Sequence, residues 1–210
     1  MPLKVAVWGT GNAGPAIRAV LSHAGHASLP GHRVGSRQGG SRRRGPAGVD
    51  TTGIVATSDW RGVIDAAPDA IVYTATADTR PEEATADLLA CLEAGINVVS
   101  TAFYSLLRPG SAPAEVLGPV QSACDKSGAS VFVSGIDPGW VVDWLPVVAS
   151  GASSGIREIR TREIFNYALY DQPRVVREVI GFGTSMEETP LMLHDFAIDM
   201  VCGTDGASGR

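Results

Sequence analysis

The segment Lys4-Val5-Ala6-Val7-Trp8 runs directly into Gly9-Thr10-Gly11-Asn12-Ala13-Gly14, and an apolar helical run follows at Ala16–Leu21. A G-x-G-x-x-G motif between a strand and a helix predicts a dinucleotide-binding turn. The first glycine permits the tight turn, the second lets a pyrophosphate approach the backbone, and the third lets the helix pack on the sheet. The unpaired N–H groups at the start of that helix then face the phosphates. The alternative is a strand–helix turn that binds nothing, because 25 glycines in 210 residues produce chance matches.

Composition narrows the classes of function. The chain has a formal net charge of −5, with 44% hydrophobic and 19% charged residues, which is typical of a globular protein. The negative charge argues against a nucleic-acid partner, although Arg42–Arg44 form a short basic run. Cys91, Cys124 and Cys202 show no C-x-x-C spacing, which favours the reducing cytoplasm and no metal site. Neither a secretory leader nor a membrane-spanning stretch is expected.

Apolar strands alternate with helices along the first two thirds of the chain. Beyond the opening strand, strands are predicted at 54–57, 70–74, 97–100 and 130–133, and helices at 60–66, 82–94 and 114–127. This alternation predicts an α/β fold, a Rossmann-type doubly wound parallel sheet with helices on both faces. We therefore expect an NAD(P)-binding domain over residues 1–137.

The pattern changes after Pro138. A helix is predicted at 140–148, and Ile alternates with charged residues over 156–165, which indicates a strand with one face in water. A short helix is predicted at 173–180. We expect residues 138–210 to begin a second, α+β domain for substrate binding or oligomerisation.

Ligands of such sheets bind beyond the carboxyl ends of the strands. A weak second strand is predicted within Ala27–Ser36, and its end carries Ser36-Arg37 instead of an acidic residue. This favours NADP(H) over NAD(H), because a guanidinium can hold a 2′-phosphate. The alternative is that this arginine lies in a solvated loop. Further candidates for cofactor contacts follow two later strands: Thr74, Ala75 and Thr76, then Ser100, Thr101 and Phe103. Their alternatives are ordinary turn chemistry for the threonines and core packing for the aromatic ring.

Three segments carry a resemblance to known families. Asp69–Thr76 resembles the strand that leads into the nicotinamide loop of dihydrodipicolinate reductase. Ala94–Phe103 is similar to the next strand and loop of that family, with both loop glycines changed. Ser134–Trp140, with Asp143 after it, more closely resembles the related 2,4-diaminopentanoate dehydrogenase. The resemblance spans Lys4 to about Asp171.

The resemblance implies an NAD(P)-dependent oxidoreductase that acts on a C–N bond of a small amino acid, as 2,4-diaminopentanoate dehydrogenase does. The alternative is 4-hydroxy-tetrahydrodipicolinate reductase of lysine biosynthesis. That family's cluster of histidines, arginine and lysine corresponds here to Glu163–Pro173, which has no histidine or lysine. The remaining candidates for proton transfer are Glu163, Tyr167, Tyr170 and Asp171, and those for binding a substrate amine are Asp137 and Asp143. For each, a structural hydrogen bond or a surface charge is the alternative.

A hypothesis of another class is a nucleotide-binding domain without catalysis, as a sensor or a truncated product. Residues 25–48 are rich in Gly, Arg and Ser, which fits either an altered reading frame or a genuine loop. The resembling families are also longer, so a C-terminal portion is expected to be missing. An unfinished second domain would expose apolar surface, which leaves a homo-oligomer open.

Overall fold

The structure is a computed structural model that describes residues 3–9, 19–20, 22, 27–28, 32–34, 55–77 and 80–194. The chain forms two compact units. The first comprises Met1–Phe103 and Glu115–Val133, and the second comprises Tyr104–Ala114 and Ser134–Arg210.

A parallel sheet organises the first unit. Its described strands are β1 Leu3–Trp8, β2 Ala27–Ser28, β3 His32–Val34, β4 Val55–Thr57, β5 Ala70–Tyr73, β6 Asn97–Ser100 and β7 Val131–Val133. They lie in the order β4-β3-β1-β5-β6-β7, with β2 also paired to β1, and every pairing is parallel. The order steps outward in both directions from β1, as in a doubly wound nucleotide-binding fold. The predicted Rossmann-type α/β class is confirmed.

Helices α1 (Trp60–Asp65), α2 (Pro81–Glu93) and α3 (Ala114–Ser127) accompany the sheet. Asp59 caps α1, because its Oδ1 accepts a hydrogen bond of 3.1 Å from the N–H of Gly62. Proline opens α2, where a missing N–H costs nothing. The buried face of α2 is formed by Ala84, Leu88, Cys91 and Leu92. These positions recur at helical spacing and give the sheet its apolar cover.

Polar groups bind the amino ends of four strands together. Lys4 N donates to Asp69 Oδ2 at 2.6 Å, and Asp69 N donates to Lys4 O at 2.8 Å. Asn97 Nδ2 donates to Asp69 O at 3.1 Å, while Asn97 Oδ1 accepts from Ser130 N at 3.0 Å. We call Lys4, Asp69, Asn97 and Ser130 the amino-end seam. It fixes the register of β1, β5, β6 and β7 at the edge opposite the glycine turn.

The β6–β7 half of the sheet is less covered than the apolar sequence predicts. Burial alternates along β6, and Val99 is 45% exposed. Its register partner on β7, Phe132, is 55% exposed. Strands buried on both faces are therefore found at β1, where Val5–Trp8 are all buried, but not at this side of the sheet.

The second unit is helical and irregular where it is described. A kinked π-type helix spans Ile136–Trp144 and continues into α4 (Leu145–Ser150), which agrees with the helix predicted at 140–148. A single turn at Val175–Val179 lies within the predicted helix at 173–180.

The prediction of a strand at 156–165 is wrong. These residues have irregular backbone, and the described part of the second unit contains no strand. The alternating isoleucines are not buried, since Ile159 is 52% and Ile164 is 90% exposed. A strand with one wet face needs paired neighbours and an apolar surface against its dry face, and the part of the chain that the structure describes supplies neither to 156–165. Across the residues that the structure describes, no helix is both long and apolar enough to cross a bilayer.

Candidate functional site

The turn that leaves β1 is built around Gly9. Its φ is +102°, and a Cβ placed on it would lie 2.5 Å from Ala75 N and 2.8 Å from the carbonyl carbon of Thr74. A side chain there would meet both an unfavourable backbone conformation and the backbone of the neighbouring strand's loop. Gly9 therefore brings the turn after β1 into direct contact with the turn after β5.

The rest of the motif, Thr10, Gly11, Asn12, Ala13 and Gly14, lies outside the described residues, and so do Ser36 and Arg37. Ala19, Val20 and Ser22 are helical, which agrees with the helix predicted after the motif.

The carboxyl ends of three adjacent strands lie in register, with Trp8 opposite Tyr73 and Tyr73 opposite Ser100. Thr74 joins the first two of these ends. Its N–H donates to Trp8 O at 2.7 Å, and its hydroxyl lies 3.0 Å from Gly9 O and 3.3 Å from Trp8 O. The predicted candidate Thr74 thus donates its hydroxyl proton to protein backbone.

The candidates after β6 divide into buried and exposed groups. Ser100 is buried, and its hydroxyl donates to Tyr73 O and accepts from Ala102 N, each at 3.0 Å. Phe103 is also buried, with its ring centroid 5.1 Å from that of Tyr73. Thr101 is exposed at the end of the strand.

A similar division holds after β5, where Ala75 is buried and Thr76 is exposed. The exposed threonines of the two loops, Thr76 and Thr101, are the candidates whose side chains are accessible to a ligand. The buried ones shape the loops from beneath.

An ionic cluster that the sequence did not indicate lies beneath the loop after β5. Arg80 Nη2 lies 2.5 Å from Tyr73 Oη and 2.6 Å from Asp87 Oδ2, and Tyr73 Oη donates to Asp87 Oδ2 at 3.0 Å. Tyr73 is fully buried, while the side chains of Arg80 and Asp87 are 27% and 17% exposed. The three residues come from the end of β5, the residue before α2 and the second turn of α2.

The charges in this cluster are fixed by its surroundings. Burial, followed by the negative charge of Asp87, raises the pKa of the Tyr73 phenol far above its ordinary value. Burial opposes the charge on Arg80, yet the hydrogen bond to Asp87 and the interactions with Tyr73 and Asp87 leave the arginine pKa raised. The cluster is thus a neutral phenol held by an ion pair.

Aromatic rings surround the same phenol. The Tyr73 ring centroid lies 5.7 Å from that of Trp8, and Trp8 lies 6.1 Å from Trp60. Together with Phe103 these rings form a packed layer under the carboxyl ends of β1 and β5. The loops above it rest on rigid side chains.

The proton-transfer and amine-binding candidates all belong to the second unit. Asp137 lies at the kink of the helix Ile136–Trp144, Asp143 lies near its end, and both are exposed. Glu163 and Asp171 are exposed as well.

Two of these candidates, Tyr167 and Tyr170, are brought together, with ring centroids 6.2 Å apart in an edge-to-face arrangement. The ring of Tyr167 also packs against Phe165 at 5.2 Å and Phe182 at 5.3 Å. Within the described ranges, no three His, Cys, Asp or Glu side chains form a group that could hold a metal ion.

Comparison with known proteins shows similarity to a curated relative and to solved structures of oxidoreductases. A protein from Streptomyces virginiae named amine dehydrogenase is 42% identical over 204 residues, which cover 96% of this chain and 56% of that protein. The structure of an amine dehydrogenase from Mycobacterium smegmatis has a TM-score of 0.54 at 19% identity, covering 74% of this chain and 46% of that one. A structure from Magnetospirillum magnetotacticum has a TM-score of 0.51 at 21% identity, covering 73% and 44%. No family model matches the chain.

The two solved structures show that the nucleotide-binding type of α/β fold is shared. The chain spans little more than half the length of its curated relative, 56%. The resemblance predicted from the sequence is supported at the level of dehydrogenases. The relative's name is neither dihydrodipicolinate reductase nor 2,4-diaminopentanoate dehydrogenase.

Proposed function

We propose that this chain comprises the nucleotide-binding domain and the start of the substrate domain of an NAD(P)-dependent oxidoreductase that acts on a C–N bond of a small amine or amino acid. The observation that carries the proposal is the Gly9 turn, which joins β1 to β5 at the carboxyl edge of a doubly wound parallel sheet. The 42% identity to a protein named amine dehydrogenase supports the choice of reaction.

The residues present fit a dinucleotide. Gly9 holds the turn after β1 against the loop after β5, since a Cβ on it would lie 2.5 Å from Ala75 N. The accessible threonines Thr76 and Thr101 follow β5 and β6, the next two strands on one side of β1. These are the positions at which a doubly wound sheet binds a ligand. A bound nicotinamide would accept the hydride from the carbon that bears the amine.

The chain's own part in the reaction is binding and proton transfer. Oxidation of an amine takes a hydride from carbon and a proton from nitrogen, leaving an imine that water converts to a carbonyl compound and ammonia. We assign the proton transfer to the group formed by Glu163, Tyr167, Tyr170 and Asp171. We assign binding of the substrate ammonium to Asp137 and Asp143, because a carboxylate attracts that charge. The finer substrate, a 2,4-diaminopentanoate-like amino acid, rests on the sequence resemblance.

The preference for NADP(H) is inferred from the residues at the end of the strand predicted within Ala27–Ser36, where an acidic residue is absent. It depends on Ser36 and Arg37, and a guanidinium at the end of the second strand would pair with the 2′-phosphate. Arg37→Ala is therefore expected to weaken NADPH more than NADH. Equal loss for both nucleotides would contradict the preference.

The decisive experiment is a fluorescence titration of the 210-residue chain with NADPH and NADH. Gly11→Val places a branched side chain where the pyrophosphate is expected and should abolish binding. The matched control is Gly118→Ala on α3, where nothing lies within 4 Å of the added Cβ and binding should be retained. Undiminished affinity in a folded Gly11→Val variant would refute the nucleotide site.

Turnover is measured separately, by adding small amines and diamino acids and following the absorbance of reduced nicotinamide. Formation of reduced nicotinamide together with ammonia supports the oxidoreductase. Nucleotide binding without turnover, in a version extended to the length of the relative, would favour a domain that binds nucleotide without catalysis.

A further inference from the structure

The Tyr73–Arg80–Asp87 cluster lies beside a loop that the proposed function uses. Thr74–Ala77 leave the end of β5, and Arg80 precedes α2. The Arg80 guanidinium contacts the phenol oxygen of Tyr73, the last residue of β5 before the loop. Arg80 N also donates to Ala77 O at 3.2 Å. Both ends of the loop are therefore fixed to one another by the same arginine.

The loop is also fixed to the glycine turn. The Thr74 hydroxyl lies 3.0 Å from Gly9 O, and a Cβ on Gly9 would lie 2.9 Å from Ala75 Cα. A displacement of Thr74 or Ala75 would thus disturb Gly9, where the dinucleotide-binding turn begins. Movement of the loop base and geometry of the turn are coupled by direct contact.

A stability role alone does not account for an ion pair at this position. Desolvation offsets much of the attraction in a partly buried ion pair, so hydrophobic side chains of similar volume often serve stability equally well. The charged cluster also fixes the orientation of its side chains, because the hydrogen bonds of a guanidinium and a carboxylate to a phenol are directional.

We propose that Tyr73, Arg80 and Asp87 are positioning residues that hold Thr74–Ala77 against the Gly9 turn, so that this loop forms a preformed wall on the nicotinamide side of the nucleotide site. This inference rests on the proposed function. In the proposed role the three side chains need not contact the nucleotide. They act through the backbone of the loop, whose exposed member is Thr76.

The test compares a whole dinucleotide with the same molecule lacking its nicotinamide ring. The probes are NADH with ADP-ribose, or NADPH with 2′-phospho-ADP-ribose, whichever dinucleotide the unmodified chain binds more tightly. Tyr73→Phe removes the hydroxyl and keeps the ring that packs on Trp8 and Phe103. Arg80→Gln is the second variant, since it changes a side chain that is partly exposed.

Both variants are expected to raise the Kd of the dinucleotide about tenfold and that of the ring-lacking probe less than about twofold, because small displacements of a positioning loop cost affinity only for the part it contacts. The control is Glu178→Gln, which breaks the exposed Arg174–Glu178 pair (3.0 Å) and should change neither Kd. Arg80→Lys should restore part of the loss, because it keeps the charge near Asp87.

Equal weakening of the two probes, or no change in either, would overturn the inference while the nucleotide site stands. If the unmodified chain binds neither probe, the proposed function fails, and this inference fails with it. The two failures are therefore distinguishable in one set of titrations.

Discussion

Gly9→Ala should destabilise the first unit strongly. The substitution adds one methyl group to a buried residue whose φ is +102°. The added Cβ would lie 2.5 Å from Ala75 N and 2.8 Å from the Thr74 carbonyl carbon, and these atoms are backbone, so no side-chain rotation can relieve the contact.

The expected magnitude has two parts. An L-residue in this backbone conformation costs about 1–3 kcal/mol. Forcing an extra methyl group into packed backbone costs a further amount of about 1–3 kcal/mol. Together they predict a loss of about 2–6 kcal/mol in the free energy of unfolding, a large fraction of the stability of a domain of this size.

Urea denaturation measures the loss, with tryptophan fluorescence as the signal. Of the four tryptophans, Trp8 is the residue before Gly9 and is buried, so the unfolding of β1 changes its contribution to the emission, whereas Trp140 and Trp144 are exposed already. Far-ultraviolet circular dichroism on the same samples checks that the secondary structure is lost in the same transition.

Two further glycine variants separate the two parts. Gly128 has a φ of +76° and nothing within 4 Å of an added Cβ, so Gly128→Ala should show only the conformational cost. Gly118 lies within α3 with neither problem, and Gly118→Ala should gain up to about 1 kcal/mol. A Gly9→Ala variant no less stable than Gly128→Ala would refute the close contact, and one within about 0.5 kcal/mol of the unmodified chain would refute both parts.

Three other predictions concern the first unit. Ser100→Ala should lower the free energy of unfolding by about 1–3 kcal/mol in urea denaturation, because it leaves a buried backbone N–H and a C=O without their hydroxyl partner. A loss below about 0.5 kcal/mol, the size expected of a neutral surface substitution, would contradict this. Asp59→Ala should lower the free energy of unfolding by about 0.5–2 kcal/mol in urea denaturation, because it removes the cap of α1. Asp59→Asn should keep most of the stabilisation that the cap provides. Burial and Asp87 raise the pKa of Cys91 to about 12 from 9.0, so this thiol should be alkylated more slowly than Cys124 in peptide mapping at neutral pH. Because the pKa of Cys91 is higher in the folded state, its contribution to the free energy of unfolding is complete below pH 9 and is lost as the pH rises to about 12. In Cys91→Ala the free energy of unfolding should therefore fall less steeply over this pH range.

The elements from β5 to β6 could be predicted almost to the residue. Ala70–Tyr73 is an apolar run bounded by turn residues, Pro81 marks the start of α2, and Asn97–Ser100 follows the end of that helix. Periodicity and capping chemistry decide such elements locally. The parallel order of the strands then follows from the helical connections between them.

The strand predicted over 156–165 shows where local pattern is insufficient. Alternation of Ile and charged residues describes what a strand would bury, but the burial needs neighbours elsewhere in the chain. Ile164, at 90% exposure, has none among the described residues to cover it.

The site was predictable only in outline. The positions after the strands followed from the fold, yet the sequence could not reveal that Ser100 and Phe103 are buried while Thr76 and Thr101 are exposed. The contact of Arg80 with Tyr73 was also beyond sequence reasoning. Arg80, the residue before α2, and Asp87 within α2 are about two helical turns apart, and the tertiary fold places Tyr73 of β5 beside them.

The amino-end seam has a consequence for engineering. The bonds of Asp69 and Asn97 tie four strands at the border of the sheet farthest from the turn at Gly9. These bonds and the proposed nucleotide site therefore lie at opposite ends of the same sheet. Substitutions that strengthen the amino-end seam can raise thermal stability and leave cofactor selectivity free to be altered at the carboxyl ends of the strands.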